Sequence, residues 1–280
     1  MGKPMVLNLL KAGFKVHVLQ SSAAAQQVQV AGAQVHASTA ELCKHVEAVI
    51  TMLPDSPEVL AAVTGNDGLE HHLAAGFLYI DMSTIAPSTA VSLYHRLKAK
   101  GIDALDAPVS GGQTGAESAT LTIMVGGEQE PFSRALPLFQ AMGKSATLIG
   151  PAGSGQVTKA CNQIIVAMTI QAVSEAFILA KKAGVDLSKL REALLGGFAQ
   201  SRILDLHGQR IIDRNFKPGF KVKLHRKDMN IALQAGREHA VPLFGSAQVA
   251  SLMDALIAQG DGELDHSSIA KLLEMLSGID

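Results

Sequence analysis

Through about residue 150 this 280-residue chain alternates short apolar runs with helical patterns. Nothing constrains its fold more, because that alternation is the pattern of a parallel sheet joined by crossover helices. Strands are expected over 15–19, 46–53, 77–81, 101–106, 121–125 and 146–149, with a helix over 23–31 ended by Gly32. After Gly150-Pro151-Ala152-Gly153-Ser154-Gly155 long apolar-periodic stretches replace the short runs and no clear strand returns. The expected division is therefore an α/β domain over 1–150 and an all-helical domain over 151–280. The first helix of the second domain is expected over 156–183, stopped by Gly184, a rod of roughly 40 Å at about 1.5 Å per residue.

The opening residues narrow the first domain. Met1-Gly2-Lys3-Pro4-Met5 leads into an apolar helical stretch stopped by Gly13, and resembles the tail of the G-x-G-x-x-G turn, with Gly2 as its last glycine. Alone, one glycine before a helix reads as a plain N-terminal helix. The expectation is a Rossmann-like dinucleotide-binding domain whose first strand and first two glycines are missing. That strand normally lies at the centre of the sheet, so its neighbours would lack their shared partner. Either the natural start lies earlier, or the protein folds with a gap and binds dinucleotide weakly.

Composition excludes several classes. A formal net charge of −1 gives no broad attraction for nucleic acid or an anionic membrane surface, which leaves small-molecule partners. Cys43 and Cys161 have no C-x-x-C spacing, so neither a disulfide framework nor a zinc knuckle is expected, and a reducing cytoplasm fits. No uninterrupted apolar run of roughly 18 residues and no leader pattern is found, so no membrane span or signal peptide is expected. The ten histidines include no pair flanking a glutamate at i, i+4, and no metal is expected. Ser110 lies in no G-x-S-x-G elbow, against a serine hydrolase.

Two segments carry candidate chemistry. Asp106-Ala107-Pro108-Val109-Ser110-Gly111-Gly112 follows an expected strand, and its Ser-Gly-Gly turn offers a hydroxyl and backbone N–H groups suited to a carboxylate. The same tripeptide also reads as a tight turn needing positive φ. In Gly155-Gln156-Val157-Thr158-Lys159-Ala160-Cys161-Asn162-Gln163, Lys159 and Asn162 stand three apart and share a helix face. A lysine on a helix is ordinarily solvated surface. Here Ala160, Cys161, Ile164, Ile165, Val166 and Ala167 make the helix apolar nearly all round, so Lys159 is a candidate for desolvation and a tuned general acid. The segment 216–230, rich in lysine and arginine, reads as a basic turn entering a helix.

Seven segments in register resemble the β-hydroxyacid dehydrogenase family: Met1 to Met5, Thr51-Met52-Leu53-Pro54-Asp55, Asp81-Met82-Ser83-Thr84, 106–112, Val125-Gly126-Gly127, 155–163 and Lys227-Asp228. The resemblance implies that Gly2, Met52, Leu53, Pro54, Thr84 and Lys227 bind the dinucleotide, NAD or NADP. It implies that Ser110, Gly111 and Gly112 hold a substrate carboxylate, that Asn162 orients the substrate, and that Lys159 donates the proton. Segments 196–204 and 213–220 resemble members that reduce tartronate semialdehyde to glycerate. The alternatives are 3-hydroxyisobutyrate or four-carbon semialdehydes, or a non-catalytic relative kept as an oligomeric binding protein. The family's long helix also implies a homo-oligomer, a dimer or tetramer. Where members carry an acidic residue or an Asn-Arg pair, this chain has Leu19-Gln20-Ser21-Ser22, which is compatible with a 2′-phosphate.

Overall fold

A computed structural model describes residues 1–279, and the chain divides into two compact units, Met1–Lys159 and Ala160–Asp280. The division falls inside the long helix rather than in the glycine-rich segment 150–155, because that helix's first turn is hydrogen-bonded to the sheet unit through Asp106.

In the first unit, α1 (Gly2–Lys11) precedes β1 (His17–Leu19), and α2 (Ala25–Val30) leads to β2 (Gln34–His36). Ser38 caps α3 (Thr39–Leu42) by accepting the Glu41 N–H at 3.2 Å, and the chain then enters β3 (Ala48–Thr51). The Asp55-capped α4 (Ser56–Thr64) precedes β4 (Leu78–Asp81), and α5 (Pro87–Lys98), opened by proline, precedes β5 (Asp103–Asp106). β6 (Val109–Ser110), α6 (Gly112–Glu117), β7 (Leu121–Gly126), α7 (Gln129–Met142) and β8 (Gly143–Gly150) complete it. All four residues of β4 are buried, as expected of a parallel strand covered on both faces. β2, whose buried residue is His36, and β6, with two residues, show no apolar alternation and were not among the expected strands.

The sheet is in two pieces. β1 and β2 form a parallel pair, while β3, β4 and β5 run parallel and continue into β7, which pairs antiparallel with β5 and β6 and parallel with β8. Gln34 N–H donates to Val16 O at 2.9 Å and Gln20 N–H to His36 O at 2.9 Å, so alternation turns the backbone groups of His17 and Leu19 to the other edge. On β3, Glu47 O and Thr51 O accept from Leu78 and Met82 at 3.2 and 2.9 Å, which leaves Ala48 and Ile50 facing away from β4. A cavity of about 1410 Å³ is lined by both strands and by Gly2, Met5 and Leu9 of α1. The expected gap in the sheet is thus present, and α1 is held instead by its own apolar face. Met5 and Leu9 are buried in the core, a gain of about 1.5–3 kcal/mol each, and Asn8 Nδ2 donates to Ala116 O at 2.6 Å.

The second unit is helical. α8 (Ser154–Lys182) carries the chain into it, followed by α9 (Leu187–Leu195), α10 (Arg202–Ile212), α11 (Val222–Glu238), α12 (Phe244–Ala258) and α13 (Ile269–Leu276). Ala167 and Ile170 of α8 pack with Met229, Met253 and Ile269 in one core cluster, and Phe177 packs with Leu204 and Ile211 in another. By length and apolarity α8 would also serve as a membrane span, a property concealed in the sequence by its interspersed polar residues. Here its buried face is the spine of the unit's core.

Candidate active site

The loops that follow β3, β4 and β5 leave the carboxyl ends of parallel strands, where α/β sheets place their ligands. Met52-Leu53-Pro54 follows β3 and is tied to the next loop by the Leu53 N–H, which donates to Ser83 Oγ at 2.8 Å. Asp81, at the end of β4, accepts from Thr51 Oγ1 at 2.9 Å and from the Ser83 N–H at 3.1 Å. Burial pushes the Asp81 carboxyl up to about 6, against the pull of its bonds from Ser83 and Thr51. Thr84 is half-buried in the same loop.

β5 and β6 pair in succession along β7, Asp106 opposite Gly126 and Ser110 opposite Thr122, so Ser110 stands beyond the carboxyl end of β5. Gly111 and Gly112 have φ of 133° and 62°, a backbone that only glycine adopts without strain. Both are exposed, and the turn leads directly into α6. The positive φ values thus shape an exposed turn, the geometry of the tight-turn reading.

Asp106 joins this strand to α8. Its Oδ1 accepts the Gly153 N–H at 2.7 Å and its Oδ2 the Gln156 N–H at 2.9 Å, a carboxylate at a helix N-terminus. Burial raises the Asp106 carboxyl, with the Gly153 and Gln156 amides opposing. A Cβ at Gly155 would lie 2.6 Å from Asp106 O and 2.8 Å from its Oδ2, so glycine is required for the approach. The Gln156 side chain accepts from the Ile85 N–H at 3.1 Å and donates to Ser83 O at 2.9 Å. Lys159 follows within one turn of these anchors and is 7% exposed, against the ordinary solvated lysine.

Within the helical unit, Asn162 Nδ2 donates to Gln163 Oε1 at 2.8 Å, and Gln163 Nε2 donates to Asp228 Oδ2 at 2.6 Å. The Lys227 ammonium lies 2.8 Å from Asp228 Oδ1. Asn162 and Lys227, far apart in sequence, thus belong to one network. Sequence reasoning quoted Asp81, Asp106, Gln156, Gln163 and Asp228 within motifs but assigned them no role. The available signals were an acidic residue ending a strand at Asp106, and the spacing that puts Gln156 on the Lys159 face.

Two family models match the chain: the NAD-binding domain of 6-phosphogluconate dehydrogenase over residues 1–150, and the NAD-binding domain of NADP-dependent 3-hydroxyisobutyrate dehydrogenase over residues 153–273. The chain is 42% identical to 2-hydroxy-3-oxopropionate reductase of Escherichia coli strain K12, over 99% of its own length and 95% of that protein. The chain belongs to the β-hydroxyacid dehydrogenase family. Another member, 3-hydroxyisobutyrate dehydrogenase of Pseudomonas aeruginosa, is 38% identical over 97% of this chain and 95% of its own. The solved 3-hydroxyisobutyrate dehydrogenase of Mycobacterium tuberculosis with L-serine superposes with a TM-score of 0.89 at 31% identity, covering 98% of this chain and 95% of that one. As a member of the family the chain is an NAD(P)-dependent oxidoreductase.

The residues present fit the family's dinucleotide. No side chain caps α1, its first turn holds no acidic residue, and a Cβ at Gly2 would meet nothing within 4 Å, which leaves a pyrophosphate an open approach to the helix N-terminus. Gly2, Met52 and Leu53 line the cavity between β1 and β3, together with Ser21 and Ser22; Pro54 and Thr84 are outside its lining.

The helical unit holds a second polar cluster. His207, Asp265 and His266 have ligand atoms close enough for a metal ion. Within the cluster His266 pairs with His225 at 2.8 Å and with His207 at 3.3 Å, and Asp265 accepts from Ser267, Gly219 and Phe220. Burial favours the raised state of the Asp265 carboxyl, but His207, His266, Ser267 and the Phe220 N–H outweigh it and hold the group well below the carboxylate range.

Proposed function

We propose that this family member reduces tartronate semialdehyde (2-hydroxy-3-oxopropionate) to glycerate, with Lys159 as proton donor. The observation that carries the reading is a lysine 7% exposed, one turn beyond a helix start bound to Asp106, on the strand that runs into Ser110-Gly111-Gly112. The 42% identity to 2-hydroxy-3-oxopropionate reductase over nearly the whole chain supports this substrate.

Ser110 Oγ and the N–H groups of Gly111 and Gly112 bind the carboxylate. Asn162 orients the substrate hydroxyl. The Lys159 ammonium hydrogen-bonds the aldehyde oxygen and passes its proton to that oxygen as alkoxide character develops, a charge placed to favour the transition state over the ground state. Bound reduced nicotinamide supplies the hydride. Gly2, Met52, Leu53, Pro54, Thr84 and Lys227 hold the dinucleotide.

Homo-oligomer formation has its own support. Cys161, Ile165, Met168, Ala172 and Leu179 are exposed on α8 at spacings of four, three, four and seven, an apolar stripe of the kind that two helices bury together; Ile165 and Leu179 are 66% and 72% exposed. Cys43 and Cys161 are free thiols, as a reducing cytoplasm would keep them.

The test is oxidation of NADH and NADPH by purified protein with three- and four-carbon semialdehydes. Highest kcat/KM on tartronate semialdehyde is expected. Preference for the 3-hydroxyisobutyrate couple or a four-carbon semialdehyde would select the alternative substrates, and turnover of none would leave a non-catalytic binding protein.

A further inference from the structure

We infer that Asp228 is the positioning residue of the helical unit, a single buried carboxylate that sets both the Lys227 ammonium and, through Gln163, the polarity of the Asn162 amide. The inference deepens the reductase reading, in which Asn162 faces substrate and Lys227 faces cofactor.

Asp228 is 2% exposed, and both of its oxygens are engaged: Oδ1 by Lys227 Nζ at 2.8 Å, Oδ2 by Gln163 Nε2 at 2.6 Å. These contacts propagate by donor and acceptor logic. The carboxylate accepts, so Gln163 must turn its NH₂ toward Asp228 and its Oε1 the other way. Only a donor can meet that oxygen, and Asn162 meets it with Nδ2 at 2.8 Å. The Asn162 amide is thereby prevented from flipping, and its Oδ1 remains the acceptor for a substrate hydroxyl. Gln163 is 4% exposed, too enclosed for water to substitute freely for either bond. Its backbone carbonyl is also met by His225 Nε2 at 3.4 Å, which holds this turn of α8 to α11.

A merely structural role predicts loss of stability alone. A positioning role predicts that two variants divide the effects. Gln163→Ala removes the link to Asn162 but leaves the Lys227 pair, so it should raise the semialdehyde KM about tenfold, the equivalent of one hydrogen bond, and leave the NADPH and NADH Kd unchanged. Asp228→Asn should raise both. The double variant Asp228→Asn/Gln163→Glu puts the acceptor back at 163, with the amide of residue 228 donating to it, and should recover most of the substrate KM but not the cofactor Kd. Side-chain amide resonances of ¹⁵N-labelled full-length protein give a readout independent of turnover: the Asn162 Nδ2 signals should shift in both single variants and return in the double variant. Unchanged Asn162 resonances in Asp228→Asn, or a double variant no better than the single, would overturn the inference. A wild-type chain inactive on every semialdehyde would overturn the reductase reading instead, and the resonances would still decide the role of Asp228.

Discussion

Asp106 and Gly153 are joined by a 2.7 Å hydrogen bond from the glycine N–H to the aspartate carboxylate, and through it the strand that runs into Ser110 shares an anchor with the helix that carries Lys159. A displacement of that anchor moves the proton donor without touching it. Asp106→Asn turns an NH₂ group against one of the two N–H donors, from Gly153 and Gln156, that the carboxylate now accepts. It should cost about 1.5–3 kcal/mol of stability and lower kcat on the order of 100-fold through misplacement alone. Chemical denaturation and steady-state kinetics on one preparation check both, and an unchanged kcat would sever Asp106 from the site.

Lys159→Ala removes the proton donor itself. Turnover should fall about 10³-fold with little change in NADH or NADPH affinity, because the lost cation acts on charge that develops only in the transition state. Kinetics and fluorescence titration of the same variant give the two numbers. Near-normal turnover would take Lys159 out of the mechanism.

Asp81 gives the stability a pH signature. Its carboxyl is raised from 3.8 to about 6 in the folded chain, chiefly by burial, so between those values the native state binds more protons than the unfolded one. Its contribution is therefore fully present below pH 3.8 and is lost as pH rises through 6, about 3 kcal/mol at most. Asp81→Asn has no such titration. Urea midpoints should show the wild type gaining on the variant as pH falls from 7.5 to 4, and a constant difference across that range would contradict the assignment.

The stripe on α8 predicts the assembly. Ile165→Glu/Leu179→Glu adds two charges on a face where both residues are already exposed in the single chain, so folding should survive while association does not. Sedimentation velocity should report an oligomer for the wild type and a monomer for the variant. An oligomer of unchanged mass would show that another surface is used.

The split sheet predicts uneven hydrogen exchange. Amides of His17, Leu19, Ala48 and Ile50 face the cavity rather than a paired strand, and should exchange at least about tenfold faster than those of Val18 and Val49. Adding an apolar strand that ends in two glycines ahead of Met1 should slow these four amides and tighten NADH or NADPH binding in isothermal titration. Equal exchange across each strand, before and after the addition, would mean that the cavity is closed in solution by another route.

Much of the fold was legible in one dimension. Six strands, the long helix and the change of texture near residue 150 follow from local periodicity, a property of neighbouring residues. Gly2, Met52, Ser110, Lys159 and Lys227 came from motifs, and the shared face of Lys159 and Asn162 from a spacing of three on a helix. β2 was not legible because the residue it buries is a histidine, and β6 because two residues cannot display a period.

The succession of elements, the place where strands give way to helices, and the residue types that recur at chemically useful spacings can all be read along the chain. That Asp106 holds the start of α8, 47 residues on to Gly153, and that Asp228 reaches back 65 residues to Gln163, follows from packing in three dimensions. Packing also sets the burial of Lys159 and the separation of β1 from β3. The difference lies in the range of the forces concerned. Periodicity and capping act over a few residues of chain, whereas a buried carboxylate is satisfied by whichever donors packing brings within hydrogen-bond reach, and no local spacing encodes that meeting.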